Sequence, residues 1–220
     1  TVSVMFLYLG LMPDLAAARD RITDWRRQVY RVLSLGWLGA NRQWRHYMAL
    51  YGFFAALATP LVISVHSVVS WDFAMSILPG WHSTIFAPYF VAGAIFSGLA
   101  MVITLLVPMR RLFKLEAYIT VHHFENLAKL MLTTSLIVGY AYLTEFFIAW
   151  YSGSPFEQGT FFDRMFGQYW GYSWMMFTCN VILPLLLFWK TVRTSLKALF
   201  VISIFVNIGM WLERYVIIVT

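Results

Sequence analysis

The sequence predicts an all-α membrane protein, a polytopic bundle of transmembrane helices, and three observations predict it. Of 220 residues, 60% are hydrophobic and only 12% are charged, about half the charge of a soluble chain. So little polar surface cannot cover a globule in water, and lipid must solvate much of it. Residues 47–71, 83–109 and 165–189 contain no Lys, Arg, Asp or Glu, and each run reaches the roughly 20 residues that a spanning helix needs. The connections between apolar runs also alternate in charge, as the positive-inside rule requires of a chain that crosses and recrosses a bilayer.

In order, residues 1–13 read as the end of a first span. The chain starts without methionine and ends inside another apolar run, which reads as an internal piece of a longer protein. Residues 14–35 place Leu15, Ile22, Trp25, Val29 and Val32 near one helical face among several arginines. That pattern suits a helix lying in the membrane interface or a solvated connecting helix. The uncharged runs 47–71, 83–109 and 165–189 supply three spans. The run 126–150 supplies another despite Lys129 and Glu145, and 198–220 a last one despite Glu213 and Arg214. Segments 14–46, 110–117 and 190–197 carry Arg and Lys, whereas 72–82 has none and 151–169 has only Arg164. The first group is therefore expected to face the cytoplasm. Pro60, Pro108 and Pro184 predict kinks. Gly93, Ala94, Ser97, Gly98 and Ala100 predict close helix packing.

The net charge of +6 follows from this topology and does not point to nucleic acid. The single cysteine, Cys179, lies in an apolar run. One cysteine excludes an internal disulfide, a c-type haem attachment motif and a cysteine-ligated iron–sulfur cluster held by this chain alone. A b-type haem needs two histidines at matched depth. His66 falls toward the outer side and His122 and His123 toward the inner side, so no ligated metal is expected.

Ionisable groups inside lipid are costly, and each is a candidate for function. His66 and Asp72 share one predicted helix, six residues apart, about 9 Å along the axis and about 120° around it. They cannot bond one another directly, but they could reach the two hydroxyls of a hydroquinone and accept a proton from each. Ser70 lies between them. The aromatic, uncharged loop with Trp81 and His82 could fold over the same place. The alternatives are a buried histidine satisfied by a neighbouring helix and an aspartate at the water boundary. A second group, His122, His123, Glu125 and Lys129, opens the fourth full-length or partial span counted from residue 1. It reads as a proton entry point or as an intrahelical Glu125–Lys129 pair. Tyr140, Tyr142, Glu145 and Glu213 lie further along their spans and could extend a proton pathway. Glu213 and Arg214 are adjacent and so are expected to point apart, each toward another helix.

Three runs carry a resemblance: Ser64 to Ala74, Pro79 to Ala94 and Val121 to Lys129. They resemble the NrfD/polysulfide-reductase membrane-subunit family, and within it the branch found in bacterial alternative complex III. The resemblance covers essentially the whole chain. It implies two four-helix bundles, with residues 1–82 closing the first and residues 83–220 forming the second. It implies a quinol site (menaquinol or ubiquinol) near the outer face of the first bundle, so that His66 and Asp72 would be catalytic and Ser70, Trp81 and His82 would help to bind quinol. The family's other quinol ligands would precede residue 1. The implied partners are an iron–sulfur protein subunit and a homologous NrfD-like membrane subunit, together with c-type cytochromes whose haems carry the electrons on, all in a bacterial inner membrane. Such a chain is inactive alone. Proton translocation is an open possibility for the family. Two other functions compete: an ion or solute transporter, and a purely structural anchor. The buried charges cluster toward the faces rather than at broken helices in the midplane, which disfavours a transporter. The pairing of His66 with Asp72 disfavours a bare anchor.

Overall fold

The computed structural model describes residues 2–77, 81 and 83–219, and the regular secondary structure among them is all helical. Among the described residues, six segments are long and apolar enough to cross a membrane: Val2–Arg21, Asn41–Ala74, Phe86–Leu112, Val121–Ser152, Trp170–Phe188 and Leu196–Val219. They overlap the six predicted from the apolar runs: the spans at 1–13, 47–71 and 126–150 run on into polar residues, that at 83–109 starts and ends three residues later, and that at 165–189 is shorter, starting only at Trp170. The protein is a multi-pass integral membrane protein. The chain divides into two compact units, residues 1–65 and 66–220.

The first unit holds α1 (Val2–Arg21), α2 (Arg26–Leu33) and the first part of α3 (Asn41–Ala74). One expectation is corrected here. Residues 14–35 do not form a single interfacial helix, because α1 continues through Pro13 to Arg21 and a separate helix starts at Arg26. Leu15 and the three alanines Ala16, Ala17 and Ala18 are strong helix formers that carry the first span onward. The chain breaks at residues 22–25 instead. α2 returns along α1: the Tyr8 hydroxyl donates to the Leu33 carbonyl at 2.6 Å, and Arg19 donates to the Trp37 carbonyl at 3.0 Å. The turn after α2 needs positive φ at Leu35, Gly36 and Gly39. Phe6 stacks on Tyr51 at 4.6 Å, and Trp37 meets Trp44 and Tyr47 edge-on at 5.1 and 5.5 Å.

The second unit is built on α4 (Phe86–Leu112), α5 (Val121–Ser152) and α10 (Leu196–Val219). Each shows a buried stripe at helical spacing: Tyr89, Ala92, Phe96, Ala100 and Ile103 on α4; Phe124, Ala128, Met131, Ser135 and Val138 on α5; Leu199, Ile202, Val206 and Met210 on α10. Three stripes of this period close one core. α4 and α10 are antiparallel. Gly93 lies against Met210, Thr104 bonds Ser203 at 2.9 Å, and the end of α4 shares a groove with the start of α10. Gly93 meets the packing expectation: a Cβ there would come within 3.2 Å of Met210 Cε. Gly98, in the same small-residue run, faces open space.

The fifth span is irregular. α7 (Trp170–Phe177) passes into a π-turn at Thr178–Ile182, then α8 (Leu183–Leu185) and a 3₁₀ turn at Leu186–Phe188, before α9 (Lys190–Thr194). The N–H of Leu183 reaches back five residues to Thr178. Pro184 has no N–H to offer the Asn180 carbonyl, and Ser135 Oγ on α5 donates to it instead at 2.7 Å. The kink expected at Pro184 is thus a π-turn held by a neighbouring helix, whereas helix is continuous through Pro60 and Pro108. The connection 151–169 carries a helix of its own. Gly153, at φ 68°, ends α5, and Pro155 opens α6 (Pro155–Met165) at its first turn.

Candidate functional site

The structure shows two places where polar chemistry gathers in the second unit. The first is the end of α3. His66 and Asp72 are both exposed and Ser70 is buried. The Ser70 hydroxyl donates to the His66 carbonyl at 2.6 Å, which fixes its side chain along the helix rather than toward a neighbour. The connection after α3 returns to this end: the Trp81 ring lies 6.0 Å from Phe73, the residue after Asp72, and stacks on Phe86 at 5.9 Å. His82 lies outside the described residues.

The second place is a buried polar centre between α4, α5, the π-turn and α10. Glu213 is 0% exposed. The Tyr142 hydroxyl donates to Glu213 Oε2, and Asn180 Nδ2 donates to the same Tyr142 oxygen at 3.0 Å. The Tyr89 ring lies 5.7 Å from the Tyr142 ring. A buried carboxylate is tolerable only when it is bonded and balanced, and Glu213 is both. Arg214 corrects the expectation that adjacent residues point apart. Its Nη1 lies 3.2 Å from Glu213 Oε1, a charge contact without hydrogen-bond alignment. Its guanidinium also sits 4.2 Å from the centre of the Phe90 ring on α4, a cation–π contact.

Glu145 lies one turn beyond Tyr142 on α5 and lines a cavity of about 50 Å³ with Tyr89, Tyr142, Ser173 and Arg164. That volume holds a few waters. Glu145 Oε1 is buried and has no hydrogen-bond partner among the described residues. Arg164 comes from α6 and is only 7% exposed. Burial works against its guanidinium charge, and the Glu145 carboxylate works for it.

The group at the start of α5 is held by local contacts. His123 caps the helix: the Thr120 N–H bonds its Nδ1 at 3.2 Å, and the Thr120 hydroxyl lies 2.9 Å from the same atom. His122 approaches Asn126 at 3.4 Å. Glu125 pairs with Lys129 at 3.1 Å, as the spacing predicts, and with Arg193 at 3.5 Å. Arg193 ties the basic connection 190–197 to this end. Glu125 and Glu145 are twenty residues apart on one helix, about 30 Å. Polar groups occur between those depths inside the bundle: Thr104 with Ser203 and Asn207, the latter donating at 3.1 Å, then Ser135 with Asn180. Tyr140 is 65% exposed and turned away from this ladder, which Tyr142 joins instead.

Sequence reasoning singled out Glu145, Tyr142 and Glu213 but missed Tyr89, Asn180, Arg164 and Ser173 as members of one centre. Asn180, an amide in an apolar run four residues before a proline, was the available signal. Among the described residues no group of three or more His, Cys, Asp or Glu side chains could hold a metal ion.

The pattern of the family described as "Polysulphide reductase, NrfD" matches residues 1–220. Over 103 residues, 46% of this chain, the sequence is 32% identical to a Halobacterium salinarum protein described as a putative dimethyl sulfoxide reductase membrane subunit. The matched part covers 21% of that relative, so the two are compared over about a fifth of its length.

Proposed function

We propose that this chain, which belongs to the polysulphide reductase NrfD family of oxidoreductase membrane subunits, is the quinol-binding subunit of a respiratory complex in the cytoplasmic membrane. The observation that carries the reading is the family match along every residue of the chain. The geometry at the end of α3 supports it. His66 and Asp72 stand exposed on one helix, and the aromatic connection comes back beside Asp72 through the Phe73–Trp81 contact. Menaquinol or ubiquinol binds there in this reading, with Ser70, Trp81 and His82 shaping the site. Oxidation of a hydroquinone to the quinone releases two protons and two electrons. Asp72 takes one proton, His66 takes the other, and both electrons pass to an iron–sulfur subunit docked on this face.

The finer assignment is to the alternative complex III type. Residues 1–82 then belong to the quinol-binding bundle and 83–220 form the second bundle. Electrons leave through c-type cytochrome subunits, and a homologous NrfD-like subunit sits alongside. The relative named for dimethyl sulfoxide reductase supports a sister arrangement, in which the electrons go to a catalytic reductase subunit. The terminal acceptor separates the two. Proton translocation through the second bundle is supported by the polar ladder from Glu125 past Asn180 to Glu213 and Glu145, with His122, His123 and Lys129 at its entry.

The test is Asp72→Asn in the assembled complex. The change keeps the shape and removes the proton acceptor, so quinol oxidation should fall about 10²-fold or more while assembly persists. Adding His66→Ala should cost less than the product of the two single effects, because both act on one quinol. A normal oxidation rate in assembled Asp72→Asn complex would leave this chain a structural anchor.

A further inference from the structure

We infer that the groove between the end of α4 and the start of α10 is a binding site for an anionic phospholipid. Its volume is about 740 Å³, within the range of real ligand sites. Val107, Leu112 and Phe200 give it an apolar wall, and Arg110, Arg111 and Lys197 stand along its rim with one acid, Glu116. Both helices are membrane spans, so the wall lies against acyl chains and the rim lies at headgroup depth. An apolar slot ending in three cations and one carboxylate matches one amphiphile: acyl chains below and a phosphodiester above. Zwitterionic lipid offers the same chains but carries its own cation, which meets a rim of net positive charge.

The rim is composed so that its charge is available. Arg110 is held at the groove by donating Nε to the Ile119 carbonyl at 2.6 Å, which leaves the rest of the guanidinium at the rim. Arg111, Lys197 and Glu116 are exposed, and no ion pair joins them among the described residues. Lys197 is the second residue of α10. Basic pockets between spans are the physical basis of specific anionic-lipid binding. A phosphodiester would bridge α4 to α10 at the end opposite the Glu213 centre, clamping the two helices that hold it.

The intact complex, purified in non-ionic detergent, would be titrated with phosphatidylglycerol or phosphatidylcholine, and bound lipid would be counted by native mass spectrometry. Phosphatidylglycerol should bind preferentially. Arg111→Gln with Lys197→Gln should weaken it about 30-fold, since each cation near an anionic headgroup is worth about a factor of five. Glu116→Gln should strengthen it several-fold, the opposite sign, with phosphatidylcholine binding unmoved by any of these changes. Equal binding of the two lipids, or the same sign for Glu116→Gln and the double variant, would overturn the inference. So would displacement by millimolar inorganic phosphate, which marks a phosphate site, or a helix of another protein in the complex found seated in the groove.

Discussion

Gly209→Ala tests how closely α10 must approach the π-turn. A Cβ on residue 209 would lie 2.3 Å from Asn180 Oδ1 and 2.6 Å from Cys179 Cβ. Reaching ordinary contact requires about 1 Å of displacement, and neither neighbour yields it freely. Turning Asn180 away breaks its bond to Tyr142; moving Cys179 means moving a backbone already fixed by Ser135. Overpacking of this kind costs about 1–3 kcal/mol, and stranding a buried polar group adds about 1–3 kcal/mol. The expected loss is therefore about 2–6 kcal/mol. Gly98→Ala is the control, because a methyl there meets nothing within 4 Å and replaces the poorest helix former but proline, for a gain of up to about 1 kcal/mol. Unfolding of the purified protein by SDS in mixed micelles, followed by tryptophan fluorescence, compares the two. Adding Asn180→Ala to Gly209→Ala should recover only part of the loss, since the Cys179 contact remains. If Gly209→Ala unfolds at the same SDS fraction as Gly98→Ala, the close approach is not a constraint and the account of the buried centre fails.

Two further outcomes check other parts. Tyr142→Phe removes the hydroxyl that donates to Glu213 and accepts from Asn180, and should destabilise by about 2–3 kcal/mol in the same unfolding assay; Tyr140→Phe, on the exposed side of α5, should cost under about 0.5 kcal/mol. A single cysteine placed at Thr84, which is exposed, in a chain with Cys179 replaced by alanine, should react with an impermeant maleimide added outside intact cells. Labelling from the cytoplasmic side alone would reverse the assigned topology.

The spans were legible because each is an apolar run of bilayer length, and the alternation of Arg and Lys between them is a second, independent signal. The end of α1 was not legible, because residues 14–21 mix arginines with alanine and leucine: charge suggests a surface while propensity continues the helix. The π-turn left one trace, Pro184, whose missing N–H marks an irregularity without saying which. The Glu125–Lys129 pair was readable because it is local. The buried centre was only half readable. Glu145 and Glu213 stand out as charges in lipid, but Tyr142 meets Glu213 across 71 residues of chain, and Arg164 looked like the stray cation of an outer loop. His66 and Asp72 were readable as a pair on one helix, since a helix fixes their separation, while what faces them depends on packing that no spacing encodes.

The pairing of Glu213 with its own neighbour Arg214 has a consequence for how the chain enters the bilayer. A lone charge at the centre of a span adds about 2.5–3.5 kcal/mol to its insertion. α10 instead carries carboxylate and guanidinium side by side, and so presents the insertion machinery with a segment in which the two charges offset one another. Glu145 is served in nearly the same way, because the arginine that shares its cavity arrives on α6, the helix that leaves the ribosome directly after α5. Neither carboxylate has to wait for a distant span before its charge is balanced. The order of synthesis therefore delivers counterions in time, and the tyrosine and asparagine contacts between spans are left to form after insertion, when they select the final packing rather than rescue a stranded charge.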